Sequence, residues 1–179
     1  IVGLCGEYQL KNIATVLTAV EELQKLGFAI YREDVKNGLE NVIPLTNLQG
    51  RWQVISHKPT VVLDTGHNKG GIEYIVHQLK KQHYEKLRIV IGMVKDKDIS
   101  GVLSLLPRDA VYYFTNAATE RALPALKLKE QAERTGLNGK AYSTVEQAVK
   151  LALEEAGEKD FVFIGGSNFV VGEALPVFD

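Results

Sequence analysis

The side chains best suited to chemistry sit directly after short apolar runs. Thr60-Val61-Val62-Leu63-Asp64 is β-branched and apolar, ends on a carboxylate, and runs straight into Thr65-Gly66-His67-Asn68. A carboxylate at the end of a buried strand can accept hydrogen bonds from a ribose diol, as acidic residues do in nucleotide-binding sheets. Gly66 permits a tight turn, His67 can donate to an anion, and Asn68 can cap the helix that starts next. The same residues also suit plain helix capping beside a surface histidine, and spacing alone leaves both readings open. Gly165-Gly166-Ser167 follows the apolar run Phe161-Val162-Phe163-Ile164 and opens a last helical turn. Its backbone N–H groups form a small anion nest. Gly50-Arg51 places a planar guanidinium fork where it can clamp phosphate or carboxylate, or simply be solvated. Asp96-Lys97-Asp98 is either a further polar site or a charged turn with Asp98 as N-cap.

Several classes of function are argued against. No Gly-Lys-Ser/Thr phosphate loop occurs in the chain. His57, His67, His77 and His83 show no metal-ligand spacing, so no metal is assigned to these residues. A net charge of -1, from 21 Lys+Arg and 22 Asp+Glu, gives no basic excess for a nucleic-acid backbone. Cys5 is the single cysteine, which excludes an internal disulfide, points to a reduced, cytoplasmic setting and suits a packing residue. No apolar run suggests a membrane span. The start, Ile1-Val2-Gly3-Leu4, lacks the features of a signal peptide and reads as the middle of a longer protein.

The elements that must position these residues fall into two patterns. Leu10, Ile13, Ala14, Leu17, Val20 and Leu23 recur at helical spacing and predict a helix from about 9 to 26, stopped by Gly27. A second short helix is expected over 31–39, ending near Gly38, and residues 44–49 read as a connector. From there strand and helix alternate. Strands are expected at 52–55, 60–64, 88–93, 110–114 and 161–164, with helices at 69–82, 99–106, 124–135 and 143–156. Runs that are apolar on both faces belong to parallel strands covered by helices. The expected fold is therefore α/β: a mostly parallel, Rossmann-like sheet flanked by helices, preceded by a short helical segment. Ligands bind such sheets outside the carboxyl ends of the strands. Four loops with polar residues lie there, carrying Asp64 to Asn68, Lys95 to Asp98, Thr115-Asn116 with Arg121, and Gly165 to Ser167.

In order along the chain, these segments resemble the folylpolyglutamate synthase and dihydrofolate synthase branch of the Mur ligase superfamily. Gly6-Glu7-Tyr8-Gln9-Leu10-Lys11-Asn12 looks like the family's Gly-x-His-Gln-x-x-Asn stretch, and Gly38-Leu39 with Gly50-Arg51 like its Gly-Leu and Gly-Arg pair. Asp64-Thr65-Gly66-His67-Asn68 is similar to its Asp-Gly-Ala-His-Asn-Pro signature; Asp96-Lys97-Asp98, Arg121-Ala122 and Gly166-Ser167 match further positions. Tyr8, Thr65-Gly66 and Lys69 depart from the usual His, Gly-Ala and Pro. The resemblance implies that residues 1–49 are the helical tail of a central ATPase domain and residues 50–179 the family's carboxy-terminal α/β domain. It implies an ATP- and Mg²⁺-dependent ligase that phosphorylates a carboxylate of folate or dihydropteroate and joins it to L-glutamate. The metal would be held mainly by upstream residues, and the missing amino-terminal and central domains would be this chain's partners. By the same pattern Asn12 and Arg51 contact the nucleotide, with Arg51 near the phosphates, and Asp64 holds the ribose. His67 and Ser167 line the pocket for glutamate, and Arg51 and His67 carry the catalytic roles. Alone, the chain is expected to be inactive. Two other readings are a peptidoglycan-precursor ligase of the same superfamily and a non-catalytic nucleotide-binding α/β module.

Overall fold

Strands buried on both faces need helices on both sides, and the chain supplies them in alternation. A computed structural model describes residues 2–95 and 98–179. The chain divides into two compact units, Ile1–Gln53 and Val54–Asp179. The sequence pattern changes slightly earlier, after residue 49.

In the first unit, α1 (Gln9–Lys25), α2 (Arg32–Glu40) and α3 (Val42–Thr46) follow one another. Gly27 leaves α1 at φ 93, the left-handed conformation that glycine adopts without a Cβ penalty. The apolar stripe of α1 is only partly covered: Leu10 is 71% exposed, and Val16 and Leu17 are also exposed. Ile13, Val16, Val20, Val35 and Leu39 line an open apolar cavity of about 440 Å³. Helix α2 ends at Glu40, just after Gly38, in line with the expected second short helix. The expected connector is half helical, because Pro44 sits in the first turn of α3, where no intrahelical N–H is needed. Asn47, at φ 53, ends it. Cys5 is exposed rather than packed, in a segment that precedes the first helix.

The sheet contains β1 (Gln53–His57), β2 (Thr60–Asp64), β3 (Leu87–Ile91), β4 (Val111–Phe114), β5 (Gly139–Ala141) and β6 (Phe161–Gly165). Their order across the sheet is β1-β2-β6-β3-β4-β5. The pairs β2–β6, β6–β3, β3–β4 and β4–β5 are parallel. A two-residue link joins β1 to β2, too short for a crossover, so β1 is the antiparallel edge. Trp52, expected in the first strand, lies outside it at φ 47. The short edge strand β5 has no apolar run to announce it.

Val61, Leu63, Val90, Val162 and Ile164 form one apolar layer with α7 (Val145–Glu154) and α8 (Asn168–Ala174). Helices α4 (Lys69–Leu79), α5 (Ile99–Leu103) and α6 (Ala125–Glu133) pack side by side in sequence order. They bury Ile72, Ile75, Leu79, Val102 and Leu128. The other pleat face of the strands is also buried, as Val62, Ile89, Ile91 and Phe163 show. Fully burying each such side chain is worth about 1.5–3 kcal/mol.

Near the amino end of β3 a pair of charges lies inside. Arg88 Nε donates to Asp160 Oδ2 at 3.0 Å and its Nη1 to the Tyr113 hydroxyl at 2.8 Å. Its other nitrogen reaches the Glu155 carbonyl, and Tyr113 in turn donates to the Glu155 carboxylate. Burial pushes the Asp160 carboxyl up, but the Gly157 N–H and the Arg88 guanidinium outweigh it and hold the group below its usual value. Burial and the bond to Glu155 push Tyr113 up to about 12, against the pull of Arg88.

The register aligns the carboxyl ends. Asp64 lies beside Gly165, Gly165 beside Ile91, Ile91 beside Phe114, and Phe114 beside Ala141. The loops after β2, β3, β4, β5 and β6 therefore emerge along one rim.

Candidate functional site

Each strand end on that rim is turned by a short polar device. After β2, the Asp64 carboxylate Oδ1 accepts the Gly66 N–H at 2.7 Å, closing a tight turn. A Cβ at Gly66 would lie 2.5 Å from the end of the Ile75 side chain, which would have to shift, and 3.1 Å from that carboxylate. Asp64 itself is 1% exposed, so its carboxylate belongs to the interior of the turn. Asn68 then caps α4, its Oδ1 accepting the Gly71 N–H at 2.8 Å.

His67 stands at the crest of this turn, half-buried. Its Nδ1 lies 3.0 Å from the Thr65 carbonyl oxygen. A carbonyl only accepts, so this contact assigns the proton to Nδ1 and leaves Nε2 with its lone pair in the neutral ring. In that state Nε2 can take a proton; once charged, it can donate to an anion.

After β6, Gly166 turns at φ 90, where a Cβ would meet the Gly92 carbonyl at 2.7 Å. Ser167 follows, 3% exposed, with its Oγ accepting the Phe169 N–H at 3.1 Å. After β3 the chain runs beside the loop that follows β4. The Leu123 N–H donates to the Met93 carbonyl and the Lys95 N–H to the Arg121 carbonyl, with an antiparallel bridge between Val94 and Ala122. Of the expected Asp96-Lys97-Asp98 site, Asp96 and Lys97 lie outside the described residues. Asp98 caps α5, its Oδ1 accepting the Gly101 N–H at 2.9 Å.

These turns enclose a cavity of about 140 Å³ lined by His67, Val94, Arg121, Ser167, Asn168 and Phe169. His67 and Ser167, one hundred residues apart, face the same space. Arg121 joins them. The sequence pattern marks Arg121 only as a residue of the rim and is silent on Val94, Asn168 and Phe169. Their convergence follows from β6 lying between β2 and β3, which spacing along the chain does not reveal.

Two further expected residues belong to the first unit. Asn12 is exposed on α1 and donates to Gln9 Oε1 at 2.8 Å. Arg51 is half-buried in a bend set by Gly50 at φ 70 and Trp52 at φ 47, and the Gly50 N–H donates to Gln53 Oε1. For a metal, no group of three or more His, Cys, Asp or Glu side chains with suitable disposition occurs among the described residues. No described helix is long and apolar enough to cross a membrane.

Residues 50–168 match the family described as Mur ligase, glutamate ligase domain. The chain is 32% identical over 171 residues to the dihydrofolate synthase/folylpolyglutamate synthase of Escherichia coli K12. That match takes in 94% of this chain and 38% of the relative, so the chain spans less than two thirds of that protein's length. The solved structure of E. coli FolC in complex with DHPP and ADP superposes with a TM-score of 0.79 at 31% identity, covering 94% of this chain and 38% of that one. A bifunctional folylpolyglutamate synthase/dihydrofolate synthase solved with Mn, AMPPNP and L-glutamate bound gives 0.73 at 29% identity, covering 89% and 37%.

Proposed function

The chain belongs to the Mur ligase family through its glutamate ligase domain, and from that premise we propose that it forms part of an ATP-dependent ligase adding L-glutamate to folate or dihydropteroate. The observation that supports this most is the small rim cavity that His67, Arg121 and Ser167 line together. At about 140 Å³ it falls below the roughly 300 Å³ at which pockets for drug-sized ligands begin. It suits an amino acid, whereas a pterin or nucleotide needs more space.

In this reading ATP activates a carboxylate of the folate or pteroate substrate as an acyl phosphate. The glutamate nitrogen attacks the acyl carbon, the C–N bond forms, the C–O bond to phosphate breaks, and phosphate leaves with the electron pair. The amine must first be neutral. His67, with Nδ1 committed to the Thr65 carbonyl, offers Nε2 to hold or take that proton. Ser167 helps to orient the amino acid. Asn12 and Arg51 contact the nucleotide, Arg51 beside its phosphates, and Asp64 shapes the ribose end. A divalent ion would neutralise phosphate charge, and in this reading it is held mainly by residues upstream of this chain. These residues position reactants and offset developing charge, and none is a nucleophile. With no Gly-Lys-Ser/Thr phosphate loop in its sequence to hold ATP, the chain alone should form no amide.

The test is an assay of the complete protein with dihydropteroate and with tetrahydrofolate, each with glutamate and ATP. Amide and ADP should appear together with at least one acceptor. Absence of amide with both, in a folded protein that binds ATP, refutes the reading.

A further inference from the structure

We propose that a second cavity on the rim, at the carboxyl ends of β4 and β5, binds a flat aromatic ring bearing a carbonyl group, with Tyr142 as its stacking wall and Asn116 as its hydrogen-bond donor. This site is distinct from the His67 cavity and does not rest on the amide-forming reaction proposed above.

Asn116, Pro124, Leu126, Ala141, Tyr142 and Ser143 line a space of about 380 Å³. The loop after β4 contributes to both cavities: Arg121, midway along it, lines the smaller one, and Asn116 and Pro124, at its two ends, line this one. The volume falls within the roughly 300–1,000 Å³ of small-molecule pockets, and the lining follows their pattern of apolar walls with a few placed polar groups. Leu126 is 68% exposed, apolar surface that an occupant would remove from water.

The aromatic wall is held in place before any ligand arrives. The Tyr142 ring stacks on Tyr113 with centroids 5.8 Å and planes 22° apart. Tyr113 is buried, and its hydroxyl is held by Arg88 and Glu155. The Tyr142 N–H donates to the Phe114 carbonyl at 2.8 Å, which fastens the residue just past β5 to the end of β4. A ring so held has little entropy left to lose on binding, and aromatic pairs gain beyond the area they bury.

The donor is oriented as well. Asn116 Oδ1 accepts the Ala125 N–H at 3.1 Å, across the base of the loop. A backbone N–H only donates, so this bond fixes which way round the amide sits. The oxygen serves α6, and Nδ2, with two N–H donors, is left to the cavity that Asn116 lines. The loop itself is anchored to α8, where the Ala118 N–H donates to Glu173 Oε1 at 2.7 Å. A carbonyl on the edge of a ring is the acceptor that reaches such a donor while the ring lies against Tyr142.

The experiment titrates the complete protein with benzamide and follows the backbone amide shifts of residues 141–143 and the side-chain amide of Asn116. Both should move saturably in the millimolar range expected for so small a probe. Cyclohexanecarboxamide keeps the carbonyl and the bulk but lacks the flat ring, and should bind about 2–10-fold more weakly. Asn116→Asp keeps an oxygen for the Ala125 N–H and removes the Nδ2 donor, and should weaken benzamide by about 2–10-fold. The comparison of the two probes on the wild-type protein needs no variant. Absence of saturable shifts at residues 141–143, equal binding of the two carboxamides, or an Asn116→Asp variant that folds and binds benzamide as tightly as wild type overturns the assignment.

Discussion

Replacing Arg88 with methionine isolates a buried charge network at the amino end of β3. Arg88 and Asp160 have side chains 8% and 6% exposed and meet at 3.0 Å. Without the guanidinium, Asp160 keeps the Gly157 N–H at 3.1 Å but no cation. Removing one partner of such a buried pair costs about 3–5 kcal/mol, mostly for the charge left behind. Glu155 is 45% exposed and adds little to that sum. For a chain of 179 residues, a loss of this size lowers Tm by roughly 6–20 °C. The pH dependence carries the sign. In wild type the Asp160 carboxyl titrates below its ordinary 3.8, so its contribution is full above that value and is lost as pH falls through the lower folded one. In Arg88→Met the carboxyl loses the pull of the guanidinium while burial still raises it, so it titrates higher when folded than in wild type and acid costs the variant less. The gap between wild type and variant should therefore shrink as pH falls from 7 to 3. Urea unfolding at several pH values measures it, and adding Asp160→Asn should recover about half of the loss at neutral pH. A gap below about 1 kcal/mol at pH 7, or one that does not move with pH, refutes the reasoning.

Arg51→Ala and Asp64→Asn in the complete protein should each cut glutamate addition at least about tenfold with unchanged circular dichroism; full activity in both would remove the nucleotide assignment. Asn68→Ala loses the cap of α4 and should cost about 1 kcal/mol in urea unfolding. Gly139→Ala puts a Cβ 2.1 Å from the Tyr112 carbonyl and should cost about 1–3 kcal/mol or release β5 from the edge, seen as faster amide exchange there.

Strands β2, β3 and β6 are legible in the sequence because Val61-Val62-Leu63, Ile89-Val90-Ile91 and Phe161 to Ile164 are apolar on both faces, which only a covered parallel sheet demands. Their carboxyl-end loops are legible for the same reason, and so are Asp64, His67 and Ser167 as rim residues. β5 is not, since Gly139-Lys140-Ala141 has no apolar alternation and exists as a strand only by pairing with β4. α3 is hidden because residues 44–49 show no helical periodicity and read as a connector, although a first helical turn accepts Pro44. Arg121 is placed on the rim by its loop, but its approach to His67 depends on the bridge between Val94 and Ala122, a tertiary fact. Nothing local in Glu173 distinguishes it from any other helix carboxylate.

The position of β6 between β2 and β3 has a consequence for biosynthesis. Translation delivers β2 and β3 long before residues 161–165 leave the ribosome, and during that interval the two strands share no neighbour. Both present bare edges, the state in which nascent chains pair wrongly or recruit chaperones. Ser167 arrives just behind β6, so the wedge that completes the sheet also brings the last wall of the cavity, and a message cut short before it yields neither.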